Sequence, residues 1–268
     1  MNKKKILYIA QEISPYVEEN LSDQSKVLPL GMLARGHDIR TFMPNYGTIN
    51  ERRNQLHEVI RLSDVNLTVN DKVHQLVVKV ASLLPQRMQV YFIDNDDFFS
   101  RKGTVTDKEG NFYEDNCERS AFFIRGVFET VKKLRWVPDI IHCQGWFSGL
   151  APLYLSTLYK DDPALSGAKV VFSIYDMTPE TPFGKDLTQV LGYDEIKHEL
   201  LDGSALKRDD LYKLILSYVD GLLFATSDVS DETRESAAKR DLPVMDYDNT
   251  EEAIDAVDAF YDQLLSEK

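Results

Sequence analysis

The sequence predicts an α/β fold built on a doubly wound, mostly parallel sheet with helices on both faces. Three observations carry that expectation. Short apolar, β-rich runs recur without alternation, as strands covered on both faces do. Helical patterns separate them in a β-α-β rhythm of roughly thirty residues per unit. The 268 residues, 43% hydrophobic and 28% charged, are also enough to bury a core without disulfides or metal.

The first strand is expected over residues 6–10. Val27, Leu30, Leu33 and Ala34 then fall near helical spacing, and Gly36 sits where a left-handed C-cap belongs. Pro29 is expected to kink this helix or to mark its first turn. A second strand covers 39–43 and ends in Pro44-Asn45-Tyr46-Gly47. Residues 65–69 and 76–80 flank an Asn70-Asp71 turn and read as a β-hairpin insertion at about 65–80. Residues 88–93 form a further strand. A polar loop over 94–113 leads to a helix with Phe122, Val127, Phe128, Val131 and Leu134 on one stripe. Buried strands follow at 138–143, 170–175 and 221–225, the last preceded by a helix rich in Leu and Tyr. After a weak strand at 242–245, Asp248-Asn249-Thr250-Glu251-Glu252 is a helix N-terminal sequence. Ile254, Val257, Phe260, Tyr261, Leu264 and Leu265 behind it make an amphipathic closing helix over about 250–265. No repeat or linker interrupts residues 1–268, which read as one domain.

Lys and Arg number 31 against 44 Asp and Glu, a net charge of −13. That balance argues against nucleic acid as a main partner and against an anionic membrane surface. Two cysteines, Cys117 and Cys143, form neither a disulfide framework nor a zinc site. The basic then apolar start is ended by Gln11 and Glu12, too early for a signal sequence, and no apolar stretch approaches a membrane span. The expectation is a soluble, cytoplasmic protein. In such a sheet, ligands bind beyond the carboxyl ends of the strands. The segments to inspect are therefore 11–24, 45–48, 144–149, 176–184 and 226–230.

Several of these segments share one likeness. Lys4-Lys5-Ile6-Leu7-Tyr8-Ile9-Ala10-Gln11-Glu12-Ile13-Ser14-Pro15-Tyr16 resembles the opening of glycogen and starch synthases, which use ADP-glucose. Leu33-Ala34-Arg35-Gly36-His37 and Pro44-Asn45-Tyr46-Gly47 continue the likeness in order. So do Tyr113-Glu114-Asp115-Asn116-Cys117-Glu118-Arg119 and Trp136-Val137-Pro138-Asp139-Ile140-Ile141-His142-Cys143. The resemblance implies the N-terminal, Rossmann-like half of a GT-B glycosyltransferase. In that fold two such domains face each other across a cleft, with ADP-glucose held largely by the second. This chain stops where the second domain would begin, and its closing helix reads as the end of a complete protein.

The departures from the family fall at the chemistry. The Lys-x-Gly-Gly-Leu loop that meets the nucleotide phosphates is replaced by Glu18-Glu19-Asn20-Leu21-Ser22-Asp23. Carboxylate there repels the anion it would have to hold. The His-Asp-Trp block reads Gln144-Gly145-Trp146, and an amide cannot carry an imidazolium's charge. Thr-Ile-His-Asn reads Ser173-Ile174-Tyr175-Asp176. Glu18, Gln144, Gly145 and Tyr175 are thus degenerate positions, and no catalytic residue, cofactor or metal is expected.

Candidate ligand contacts are Asp115, Asn116, Arg119, Gln144, Trp146 and Asp176. Asp115 and Asn116 either rim a sugar pocket or cap the helix behind them. Trp146 either stacks on a sugar or sits in the core under an apolar helix. His142 reads as a satisfied buried histidine, and both cysteines as small core side chains. The acidic 18–23 loop is a solvated loop rather than a calcium loop, and 176–184 is a lid or a stiff turn. Three functions stay open. The first is a non-catalytic derivative that binds a sugar, a glucan or a protein partner through the ancestral cleft. The others are half of a split glucosyltransferase completed by a second chain, and an enzyme acting on another small metabolite.

Overall fold

The computed structural model describes residues 3–18 and 21–266. The order of elements is β1 (Lys5–Ala10), α1 (Ser22–Ala34), β2 (Asp38–Pro44), β3 (His57–Glu58), β4 (Val65–Val69), β5 (Lys72–Leu83), β6 (Met88–Asp94), α2 (Asp96–Phe99) and α3 (Asn116–Leu134). There follow β7 (Ile140–Gln144), a 3-10 turn (Trp146–Ser148), α4 (Ala151–Ser156), β8 (Lys169–Ile174), α5 (Leu187–Tyr193), α6 (Arg208–Leu216), β9 (Gly221–Phe224), α7 (Asp231–Lys239), β10 (Val244–Asp246) and α8 (Glu251–Ser266).

The strands lie in the order β10-β9-β8-β7-β1-β2-β6-β5-β3, with β4 paired to β5 off that path. Every pair from β10 to β6 is parallel, and β5 pairs antiparallel with β3, β4 and β6. Ile6 through Ala10 are fully buried, as the unbroken apolar run of a central strand requires. The turn at Asn70 and Asp71 has positive φ at both residues, which suits the right-handed twist of the strands it joins. The hairpin differs from an appended insertion. Its second arm runs to Leu83 and pairs with β6 over Val77 to Leu83, so it belongs to the main sheet.

Helix α1 ends in a Schellman motif. Gly36 has φ +91°, its N–H donates to Leu33 O, and the His37 N–H donates to Met32 O. Pro29 lies inside α1 rather than in its first turn. One face of the sheet carries Tyr8, His142 and Ser173; Tyr261 of α8 reaches Tyr8 and His142, and His142 in turn meets Ser173. On the other face α3 packs its Gly126 against Ile93.

The α8 helix is fixed in three ways. Thr250 Oγ1 accepts from the Ala253 N–H at its start. Ile254, Val257, Phe260, Tyr261 and Leu264 are buried. An acidic row on α8 also meets cations from the opening of the chain: Arg35 pairs with Glu251 and Asp255, and Lys4 with Asp258 and Asp262. His37 Nδ1 accepts from the Lys4 backbone N–H at 3.1 Å, which leaves Nε2 to donate to Asp258 at 3.0 Å. Burial raises the Asp258 pKa, but Lys4 and His37 outweigh it and hold the carboxyl below its ordinary value.

Candidate functional site

From β1 the chain crosses to β2 on one side and later returns to place β7 on the other. The crevice of a doubly wound sheet opens at that reversal, beyond the carboxyl ends of β1 and β7. Here Gln11 N–H donates to Gln144 O, and the Phe147 N–H donates to Gln11 Oε1. Gly145 turns the chain with φ +83°. A Cβ at this position would sit 2.7 Å from the Leu21 side chain and 3.1 Å from Gln11 Oε1.

A cavity of about 150 Å³ lies at this point. Trp146, Phe112 and Met177 form its apolar side, and Gln11, Glu12 and Asp176 its polar side. Among the described residues no lysine or arginine lines it. Glu12 accepts from the Leu21 N–H at 2.9 Å, and Asp176 accepts from Thr226 Oγ1. Met177 is 66% exposed with φ +73°, a conformation in which a long side chain is strained and which clusters at ligand clamps.

The other sequence candidates are placed differently. Asp115 occupies the N-cap position of α3, but its carboxylate makes a forked pair with Arg101 at 2.5 and 2.6 Å instead of capping. Asn116 and Arg119 are buried. Arg119 donates to Phe98 O, Asn116 Oδ1 and Thr104 O, and Asn116 donates to Val105 O. This group braces the 95–115 loop and faces no opening. Trp146 is 3% exposed and meets Phe112, Phe147 and Phe183 edge to face. It is therefore a core aromatic with one edge on the cleft.

Gln144 turns beneath α8, away from the cavity. Its Nε2 donates to Tyr175 Oη at 3.1 Å, while its Oε1 has no hydrogen-bond partner. Burial pushes the Tyr175 hydroxyl up to about 12. His142 lies between Tyr261 Oη at 2.5 Å and Ser173 Oγ at 2.6 Å, and burial pushes its pKa down to about 3. It is neutral and enclosed. Burial also pushes the Cys117 thiol up to about 12 and that of Cys143 upward, so neither thiol is activated. No group of three or more acidic, histidine or cysteine side chains among the described residues could hold a metal ion. Glu18 is exposed, while Glu19 and Asn20 lie outside the described residues. The 176–184 segment is anchored at Phe183, packed on Trp146, and at Thr178, which accepts from Tyr212 Oη. Sequence reasoning missed Phe112 and Met177, which sit in loops with no periodicity, and the Tyr8–Tyr261–His142 contact.

The fold is that of one half of a two-domain glycosyltransferase of the GT-B type. The catalytic domain of starch synthase IV from Arabidopsis thaliana, solved bound to ADP and acarbose, superposes with a TM-score of 0.68 at 16% identity, over 91% of this chain and 51% of that one. The family model of the starch synthase catalytic domain matches residues 5–221, and the chain belongs to that family. The glycogen synthase of Chlorobium luteolum is 41% identical over 174 residues, 64% of this chain and 36% of the relative. That of Chlorobaculum parvum is 34% identical over 220 residues, 81% of this chain and 44% of the relative. The chain thus spans less than half the length of these relatives. No helix among the described residues is long and apolar enough to cross a membrane.

Proposed function

We propose that this chain binds a glucose oligomer in the β1–β7 cleft and does not by itself hold ADP-glucose or transfer glucose. The observation that supports this reading is the lining of the cleft, with aromatic and thioether surface on one side, carboxylates and an amide on the other, and no cation among its described residues. Rings suit the apolar face of a sugar, and carboxylates accept from its hydroxyls. A diphosphate meets only like charge there. One pair of unit charges at about 6 Å costs on the order of 3 kcal/mol at an effective dielectric near 20, before salt reduces it.

Isothermal titration calorimetry tests the reading. Maltose is expected to bind, and Phe112→Ala to weaken it about tenfold, the order of one lost ring contact. ADP-glucose is expected to give no heat at sub-millimolar concentration. Micromolar ADP-glucose binding with no maltose binding sinks the proposal. A second reading, half of a transferase completed by a second chain, starts from the family match over residues 5–221. It requires a companion polypeptide, so native protein that elutes at the mass of a single chain counts against it.

A further inference from the structure

The family match ends at residue 221, yet the chain builds a second cavity from residues beyond that point alone. Its volume is about 810 Å³, and it lies beyond the carboxyl ends of β9 and β10, beside the first turns of α8. It adjoins the cleft. Asp176 lines the cleft, Thr226 lines the second cavity, and their side chains are hydrogen-bonded to each other. The two hollows are therefore neighbours along the carboxyl edge of the sheet, one at β1 and β7 and the other at β9 and β10, with the Asp176–Thr226 pair between them.

The chemistry of the second cavity suits hydroxyls. Met245, Ala253 and Ala256 give it an apolar floor. Arg234 lies over the Phe224 ring at 4.4 Å, and its nearest carboxylate, Asp246, is 3.8 Å away, too far for a full hydrogen bond. Its donors are thus loosely engaged. Ser227 and Asp246 are exposed at the rim. Asp246, Asp248 and Glu252 disfavour a phosphate, whereas sugar hydroxyls donate to carboxylates and accept from a guanidinium.

Resting on the proposed glucan binding in the cleft, we infer that the segment beyond the family match extends the site. A longer glucose oligomer runs from Trp146 and Asp176 over Thr226 to Arg234 and Asp246. Short oligomers occupy the cleft alone.

Titration of the full chain with maltose and with maltoheptaose reads this directly. Maltoheptaose is expected to bind about tenfold tighter than maltose, because added subsites act through one already seated ligand. Ser227→Ala and Asp246→Ala, both at exposed positions, are expected to cut that advantage below about threefold and leave maltose affinity unchanged. Arg234→Gln should act in the same direction, and thermal melts verify that each variant is folded. Equal affinity for the two sugars overturns the extended groove and leaves the cleft reading standing. A maltoheptaose advantage that survives all three substitutions places the path elsewhere and also overturns it. Binding of neither sugar removes the cleft reading, and the groove with it.

Discussion

Two buried polar clusters, one around Arg119 and one around Gln144, are finished to different degrees. Around Arg119 each of the three guanidinium nitrogens meets an acceptor, and no buried side-chain N or O atom of Arg119 or Asn116 lacks a partner. Around Gln144 one amide oxygen is orphaned, as is the Tyr247 hydroxyl. The Arg119 group belongs to the scaffold, whereas the Gln144 group lies where the packing has slack.

The sharpest way to break this contrast is Arg119→Met. It strands Phe98 O, Thr104 O and Asn116 Oδ1, each at about 1–3 kcal/mol, and recovers part of the cost of burying the cation. A net loss of about 3–5 kcal/mol is expected in denaturant unfolding. A loss below about 1 kcal/mol would show that the completed cluster does not brace the loop.

A pH series probes the other cluster through His142. Its folded pKa is about 3 against an ordinary 6.5. Below 6.5 the unfolded chain takes up a proton that the folded one refuses, so the stability contributed is present above 6.5 and lost as pH falls toward 3. At about pH 5 the loss amounts to roughly 2 kcal/mol. Unfolding measured near neutrality and at about pH 5 should show that much less pH dependence in His142→Asn. Equal slopes in the two proteins would mean that the imidazole is not enclosed as described.

The smallest effect is expected for Gln144→Met. The substitution removes one hydrogen bond to Tyr175, worth about 0.5–1.5 kcal/mol, and also removes the orphaned oxygen, which costs a similar amount. Stability should change by less than about 1 kcal/mol. A large loss would reveal a partner for Oε1 and erase the difference between the clusters.

The strands of the sheet were legible because central parallel strands write themselves as unbroken apolar runs, as Ile6 to Ala10 does. The helix signatures at Gly36 and Thr250 were legible because a positive φ and a side-chain cap each demand particular residue types. Helix α7 left no trace. Asp231 to Lys239 bury only Thr233 and Ala237, too little for a hydrophobic period. The candidate site was legible as a location but not as a set of side chains. The carboxyl-edge rule led to Trp146 and Asp176, yet Asn116 and Arg119 turned inward, and Phe112 and Met177 joined the cavity from loops. His142 meets Tyr261 across 119 residues of chain, a distance that no local pattern records.

The ion pairs between α8 and the opening of the chain have a consequence for synthesis. Lys4 meets Asp258 across 254 residues and Arg35 meets Glu251 across 216. A polypeptide made from its amino end presents β1 and α1 long before their counter-charges exist. Until α8 is made, Lys4 and His37 keep water as their partner, and Tyr8 lies uncovered on one face of the sheet. Closure of that face is a late, long-range event, and such contacts slow folding and prolong the exposure of apolar surface. The nascent chain must therefore keep its central strand from other partners until α8 arrives.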